Sequence, residues 1–273
     1  MRAAILQMQT GIEPPANARA ILRAVEEARG GGADILFTPE MSNLLDRDRS
    51  RSEAQLRNED EDETLAAVRE AAASAGLWVH LGSLALRGQD GMRLNRGFLI
   101  DAAGAIRARY DKIHLFDVDL ATGESWRESA VYARGERAVA PETPWGKLGL
   151  SICYDIRFPD LYRSLTDAGA AILAIPAAFT VPTGKAHWHI LLRARAIEAG
   201  VFVIAAAQAG KHEDGRETFG HSLVVGPWGD VLLDMGEAPG LGFVDLDLAQ
   251  VAEVRSRVPA LNHRRPIRNV SAA

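Results

Sequence analysis

A single cysteine stands where a buried strand is predicted to end. Cys153 follows the apolar run GLSI and precedes YDIRFP, and open α/β sheets place ligand sites at the ends of such strands. A thiol at this position suggests a nucleophile, although free cysteine is also among the most buried residue types and can serve in packing alone. Because an unperturbed thiol is mostly protonated at neutral pH, a nucleophilic Cys153 needs a basic partner.

Two charged residues lie in comparable positions. Glu40 follows the segment ADILFTP, and Lys112 stands between IRARYD and IHLF. Charged side chains beside buried strands are rarely buried without a partner, and either residue alone could belong to a surface ion pair. Together with Cys153 they suggest a hydrolytic site. A carboxylate can take the thiol proton, an ammonium can stabilise negative charge, and the thiolate can attack a carbonyl carbon.

Histidine is the alternative partner for the thiol. The chain has seven histidines, but none lies in a local pattern typical of the known cysteine–histidine proteases. His187 and His189 are two residues apart on a predicted helix, so they point in different directions and do not form a metal-binding pair. With one cysteine, the chain can form neither an intrachain disulfide nor a zinc site built on several thiolates.

The composition is that of a soluble globular protein. The 273 residues are 47% hydrophobic and 25% charged, with a formal net charge of −5. This balance gives no basic surface for nucleic acid and no polybasic patch for a membrane. The longest apolar runs are about half the length of a spanning helix, and the N-terminus lacks the pattern of a signal peptide. We therefore expect a cytoplasmic protein.

Short apolar runs alternate with helical patterns along the chain, and several hairpins lie among them. This order favours an α/β fold with mixed sheets covered by helices. The polar tract from Leu45 to Thr64 is predicted to be an exposed loop, and the segment LNHRRPIRN an irregular tail. Strands are predicted at 3–8, 35–37, 78–86, 97–100, 105–110, 147–152, 171–175, 201–206, 222–225, 231–234 and 242–246, and helices at 14–29, 64–75, 159–168 and 186–198.

The three candidate residues lie in motifs that resemble those of the nitrilase superfamily, the carbon–nitrogen hydrolases. The motifs stand as FTPEM, YDKIHLFDVD and LSICYDIRFP, in the order that the family has. The segments AHWHILLRARAIE, AAAQAGKHEDGRETFGHSLVVGPWGDVL and HRRP extend the similarity over 2–266. We therefore expect one carbon–nitrogen hydrolase domain over 1–273, with a C-terminal tail from about 259.

The resemblance implies a fold and a set of roles. The fold is an α-β-β-α sandwich of two mixed sheets, commonly paired into homodimers or larger homo-oligomers. Glu40 would be the general base, Lys112 the charge stabiliser and Cys153 the nucleophile, with the N–H of Tyr154 completing the oxyanion hole. A second family glutamate falls on Glu128, whose alternative is an exposed loop carboxylate. No metal and no organic cofactor are expected, and the partner is a small-molecule amide.

Within the superfamily, the motifs are most similar to the deaminated-glutathione amidases and the neighbouring omega-amidases. Both act on amides of a 2-oxo acid, so a cation is expected in the pocket, and Arg157 is the candidate, with a structural ion pair as its alternative. Phe179 is expected at the pocket mouth. Close relatives often have glutamate where this chain has His189. N-carbamoyl-amine hydrolysis, ammonia supply to a synthetase, and a binding subunit without activity remain alternatives.

Overall fold

The computed structural model describes residues 1–89, 91–119, 123 and 125–266. Its strands and helices follow one another in an order that alternates between the two types. They are β1 (Arg2–Gln7), α1 (Pro14–Gly30), β2 (Ile35–Phe37), α2 (Arg49–Gln55), α3 (Glu63–Ala75), β3 (Trp78–Arg87), β4 (Arg93–Ile100), β5 (Ile106–Asp111), β6 (Asp117–Asp119), β7 (Ser125–Arg127), β8 (Glu142–Thr143), β9 (Gly146–Leu150), α4 (Pro159–Asp167), β10 (Ala170–Ala174), α5 (Val181–Ala199), β11 (Phe202–Ala205), β12 (Ala209–Lys211), β13 (Glu217–Phe219), β14 (Leu223–Val225), β15 (Val231–Asp234), β16 (Gly240–Asp245), α6 (Ala249–Arg257) and α7 (Ala260–His263).

Two six-stranded sheets form the centre of the molecule. The first has the strand order β16-β1-β2-β3-β4-β5, and the second has the order β15-β14-β11-β10-β9-β8. In each sheet three neighbouring strands are parallel, β1-β2-β3 in the first and β9-β10-β11 in the second, and the flanking strands are antiparallel. Each sheet is therefore mixed, as the alternation of hairpins and helices predicts.

The side chains of β1 show how the layers are stacked. Because successive strand residues point to opposite faces, Ala3 and Ile5 pack between the two sheets, whereas Ala4 and Leu6 pack against α1 and α3. On the outer face of the second sheet, α4 and α5 contribute Leu165, Trp188 and other apolar residues to its core. The result is a four-layer α-β-β-α sandwich, which confirms the predicted fold class.

Most predicted elements lie within a few residues of their observed bounds. The predictions for two polar segments differ from the structure, and one helix was missed. The tract from Leu45 to Thr64 is not one exposed loop, since it contains α2 and a 3-10 turn at Glu59–Glu61, with Leu45 and Leu56 in a small apolar cluster. The helix α6 was not predicted. The short helix α7 lies in the predicted tail, of which residues 267–273 are outside the described part of the chain. Among the described residues, no helix has the length and apolar character that a membrane crossing requires.

Candidate active site

Glu40, Lys112, Glu128 and Cys153 come from four segments that follow the ends of strands. Glu40 lies three residues after β2, Lys112 directly after β5, Glu128 directly after β7, and Cys153 three residues after β9. Glu40 and Lys112 are 4% and 2% exposed and Cys153 is 8% exposed. The structure thus brings together residues that are far apart in the sequence, at a place where both sheets contribute.

A buried ion pair forms the centre of this group. The Lys112 Nζ donates to Glu40 Oε1 at 2.8 Å and to Glu128 Oε2 at 2.9 Å. Asn95 Nδ2 donates to the same Glu40 oxygen at 2.8 Å, and the N–H of Ala178 donates to Glu40 Oε2 at 2.9 Å. Both oxygens of the Glu40 carboxylate therefore have donors, so the side chain is held in one orientation.

Cys153 occupies a turn whose backbone is constrained. Its φ is 50°, a left-handed conformation that is uncommon for a residue with a side chain, and a 3-10 turn runs from Cys153 to Arg157. The buried carboxylate of Asp155 secures the turn, because it accepts from the Ile152 N–H at 2.8 Å and from the Tyr110 hydroxyl at 2.7 Å. The cysteine is thus presented at the strand end by neighbouring residues that are themselves fixed.

The charges around the thiol determine its protonation. Burial and the Glu40 charge raise the pKa of Cys153 well above its ordinary value, although Lys112 opposes this effect. Burial alone would raise the pKa of Glu40. The charge of Lys112 and hydrogen bonds from Lys112, the thiol and Asn95 outweigh burial, so the pKa of Glu40 is lowered. For Lys112, burial lowers the pKa, and the charges of Glu128 and Glu40 raise it well above the ordinary value. The resting site therefore holds a carboxylate, an ammonium and a neutral thiol.

A cavity of about 390 Å³ opens onto these residues. Tyr154 and Phe179 are on its wall, as are Glu40, Lys112, Glu128 and Cys153. Arg157 is not on the wall. Its guanidinium lies over the rings of Tyr154 and Phe179, at 5.9 and 5.7 Å from their centroids, and contacts the His187 ring. The cations on the wall besides Lys112 are Arg47, Arg49, Arg93, Arg127 and Arg216.

Comparison with known proteins places the whole arrangement in a family. The family model described as carbon-nitrogen hydrolase matches residues 2–256. The chain belongs to the carbon–nitrogen hydrolases. This match spans all four residues of the site and both sheets, and it confirms the nitrilase-superfamily resemblance of the three motifs.

Relatives and solved structures agree with this assignment. The carbon–nitrogen hydrolase is 39% identical over 268 residues to a protein of Rattus norvegicus named deaminated glutathione amidase, covering 96% of this chain and 82% of that one. It is similar to the C. elegans NitFhit protein, with a TM-score of 0.89, 35% identity and coverage of 97% and 65%. It is also similar to the amidase from Nesterenkonia sp. AN1, in a variant where acrylamide has added to the active-site cysteine, with a TM-score of 0.78, 29% identity and coverage of 95% and 98%. The chain is thus a cysteine-dependent amidase.

Several residues of the site carry no signal in the sequence. Asn95 lies inside β4, Ala178 follows β10, and neither stands out by type or spacing. Asp155 is part of the cysteine motif, and its acidic side chain two residues from Cys153 could have been identified as a turn-forming residue. The wall arginines are spread over 47–216, so only the folded chain shows that they share one cavity.

His189 has partners that the sequence did not predict. Its Nε2 lies 2.9 Å from Asp234 Oδ2, and His221 Nδ1 lies 2.8 Å from Asp234 Oδ1. Among the described side chains, these three form the group whose atoms are close enough together to hold a metal ion. The carboxylate already accepts a hydrogen bond from each ring, so the group is satisfied as a hydrogen-bonded cluster that joins α5 to β15.

Proposed function

We propose that this enzyme hydrolyses an amide through a thioester on Cys153, with Glu40 as general base. The observation that carries the proposal is that Cys153 lines the same cavity as the Glu40 carboxylate, which Lys112 pairs at 2.8 Å. In the first half-reaction, Glu40 takes the thiol proton while the sulfur attacks the amide carbon. Glu40 then gives this proton to the departing nitrogen, and the C–N bond breaks to leave the thioester.

The second half-reaction returns the enzyme to its resting state. Glu40 takes a proton from water, the hydroxide attacks the thioester carbon, and the carboxylic acid leaves as the sulfur is protonated again. In both halves the carbonyl oxygen becomes negatively charged. Lys112 and the N–H of Tyr154 stabilise this charge, and the Tyr154 N–H has no other acceptor within the described residues. Glu128 orients Lys112, and its Oε2 also accepts from the Phe116 N–H at 2.7 Å.

The proposed substrate is deaminated glutathione. Its hydrolysis would give 2-oxoglutarate and cysteinylglycine, so the leaving group is the amine of the dipeptide. The support is the similarity, at 37–39% identity over nearly the whole chain, to rat and Yersinia enterocolitica proteins that are named for this activity. The second candidate is an omega-amidase, which releases ammonia from 2-oxoglutaramate.

A substrate panel tests the function. Purified enzyme is offered deaminated glutathione, 2-oxoglutaramate, an N-carbamoyl amine and a simple nitrile, and the products are measured directly. We expect the first substrate to be preferred, and preference for a nitrile or an N-carbamoyl amine would contradict the proposed branch.

The matched variant Cys153→Ala tests the mechanism on the same panel. We expect a loss of roughly 10⁴-fold or more with every amide, because the variant cannot form the thioester that intact mass spectrometry should detect in the wild type. Turnover near the wild-type rate would contradict the proposed nucleophile.

We also propose that residues 1–273 form a single domain that assembles as a homodimer in the cytoplasm. The reducing cytoplasm suits an enzyme whose one cysteine must remain a free thiol. The homodimer is supported by large apolar side chains that remain exposed on the α5 side of the molecule, with Ile190, Ile197 and Trp228 at 69%, 54% and 60% exposure.

A further inference from the structure

One part of the cavity wall carries two arginines and a tryptophan that the mechanism does not use. The guanidinium carbon of Arg47 lies 4.6 Å from the centroid of the Trp126 ring, and that of Arg216 lies 5.2 Å from it. All three side chains line the cavity that contains Cys153. Two cations therefore lie against one indole ring inside the substrate chamber.

Arg216 keeps donors that its carboxylate partner does not use. Arg216, whose side chain is 17% exposed, donates from Nε to Asp214 Oδ2 at 2.7 Å. Its terminal nitrogens donate to no acceptor in the part of the chain that the structure describes. Burial lowers the pKa of Arg216, and the nearby Arg47 charge acts in the same direction.

Asp46, another carboxylate on the wall, is paired with a different arginine. Asp46 accepts from Arg51 with both of its oxygens, at 2.7 and 2.8 Å. A ligand anion beside Arg216 would accept from its terminal nitrogens, and these hydrogen bonds would be strengthened by charge.

Trp126 provides a separate observation. Its indole N–H is buried, and among the described residues it has no hydrogen-bond partner. A buried donor without an acceptor is costly, and most such groups in folded proteins are paired. An acceptor oxygen brought by a ligand would satisfy this N–H close to the Arg216 guanidinium, which lies 5.2 Å from the ring centroid.

We propose that Arg216, Arg47 and the Trp126 N–H bind a carboxylate of the substrate that is remote from the scissile amide. A guanidinium matches a carboxylate in geometry, and its charge strengthens the hydrogen bonds. This inference rests on the proposed function and extends it, because it assigns substrate recognition to residues other than Arg157. Deaminated glutathione has a carboxylate on each side of the scissile bond, and both are of the chemistry that this subsite accepts.

The test compares two small amides of the same length, glutaramate with a terminal carboxylate and pentanamide without one. We expect Arg216→Gln to raise the KM for glutaramate roughly 10- to 100-fold, since it removes charged hydrogen bonds, and to change the kinetics of pentanamide less than about twofold. Trp126→Phe keeps the ring and leaves the Arg216–Asp214 pair intact, so it tests the subsite even if Arg216→Gln fails to fold. We expect it to raise the KM for glutaramate roughly three- to tenfold.

Arg157→Gln is the matched comparison. We expect it to leave the KM for glutaramate within about twofold of the wild type, whereas a KM increase in this variant and none in the other two would overturn the inference. Binding of glutarate to the Cys153→Ala enzyme, measured by calorimetry, gives a readout without turnover. It should weaken with Arg216→Gln, and unchanged affinity would also overturn the inference.

Two further substrates extend the test. We expect Arg216→Gln to impair 2-oxoglutaramate as it impairs glutaramate, because both have a carboxylate at the same distance from the amide, and to impair deaminated glutathione as well. Impairment of deaminated glutathione alone would overturn the inference. A wild-type enzyme that is inactive on deaminated glutathione would refute the proposed substrate alone. An Arg216 dependence with glutaramate would still support the subsite in that case.

Discussion

At the residue scale, the chemistry depends on which group carries the proton before substrate binds. Lys112 lies 2.8 Å from Glu40 and 2.9 Å from Glu128, so one ammonium lies between two carboxylates and stays charged. The Cys153 thiol lies in the same buried pocket and faces the Glu40 charge, which opposes a second anion there. In the proposed mechanism the nucleophile is therefore a neutral thiol that is deprotonated as it attacks, and Glu40 is ionised before the reaction begins.

The pH dependence of activity and stability follows from these charges. The pKa of Glu40 is lowered from its ordinary value of 4.5, so its ion pair contributes stability above about pH 4.5 and loses it as the pH falls through the folded-state pKa. The pKa of Lys112 is raised above 10.5, so its contribution is complete below that pH and is lost as the pH rises through the folded-state pKa. We expect the acid limb of kcat/KM to lie below pH 4.5, measured with an uncharged amide.

Glu40→Gln is the matched variant for this profile. The amide cannot act as a base, so we expect kcat to fall roughly 10²- to 10⁴-fold, with no acid limb from this group. A wild-type acid limb centred between pH 5 and 7 would show that Glu40 is not the group that titrates.

At the element scale, short turns after strands position the site more than the strands themselves do. The turn that carries Glu40 rests on β3 at Gly82, where a Cβ would come within 2.1 Å of the Thr38 carbonyl oxygen. The Ser83 N–H donates to the Pro39 carbonyl, and its hydroxyl accepts from the Met41 N–H at 2.9 Å. A side chain at Gly82 would push this turn away, so the glycine permits the close approach that buries Glu40.

Asp155 positions the turn that carries Cys153, and substitution of Asp155 tests this positioning role. It accepts from Ile152 and Tyr110, and also from the N–H and the Nδ1 of His114, at 3.0 and 2.7 Å. We expect Asp155→Asn to lower the free energy of unfolding by about 1–3 kcal/mol, because the amide leaves buried donors unpaired. We also expect slower alkylation of Cys153 by iodoacetamide and a kcat reduced roughly tenfold, since misplaced reacting groups are costly.

Tyr110→Phe is the control for that variant, because it removes one of these donors and leaves the carboxylate in place. Its expected cost is about 1 kcal/mol, with kcat within about threefold of the wild type. Equal kcat losses in the two variants would contradict the positioning role of the Asp155 carboxylate.

At the scale of the whole molecule, the site exists because two sheets with similar topology pack face to face. Glu40 and Lys112 follow strands of the first sheet, and Cys153 follows a strand of the second. The hydrogen bond from Tyr110 to Asp155 joins the sheets at this place. Relative movement of the sheets would separate Glu40 from Cys153, so the proposed mechanism depends on sheet packing.

The exposed apolar groove formed by Ile197, Trp228, Val258 and Leu261 gives a prediction about assembly. Contiguous apolar surface of this kind is typical of protein interfaces, so we expect sedimentation to show a dimer of the 29.5 kDa chain. Ile197→Asp should shift the enzyme toward the monomer because it places a charge in the interface. Ala66→Asp, on the exposed face of α3 in the opposite outer layer, should leave the dimer intact. A wild-type monomer at micromolar concentration would contradict the proposal.

The sequence by itself predicted most of the elements and selected three residues that the fold brings together. The spacing of apolar residues within one segment shows which of its faces is buried, without information from the rest of the chain. For this reason the bounds of β2 were predicted as observed and those of α1 within one residue. The motifs around Glu40, Lys112 and Cys153 indicated the family because their residue types and order are specific to one chemistry. The polar tract that contains α2 was misjudged, because a short helix buried on one side against a cavity lacks a long periodic pattern.

Only the tertiary structure decided which side chains meet. Asn95, Ala178 and Asp155 act through hydrogen bonds whose geometry depends on the relative placement of segments that are distant in sequence. The same holds for the cavity cations: Arg157 was selected for its nearness to Cys153 along the chain, whereas Arg47 and Arg216 share Trp126 through folding alone. Local patterns record whether a residue is buried, but contacts between sheets and loops are set by the packing of the whole chain.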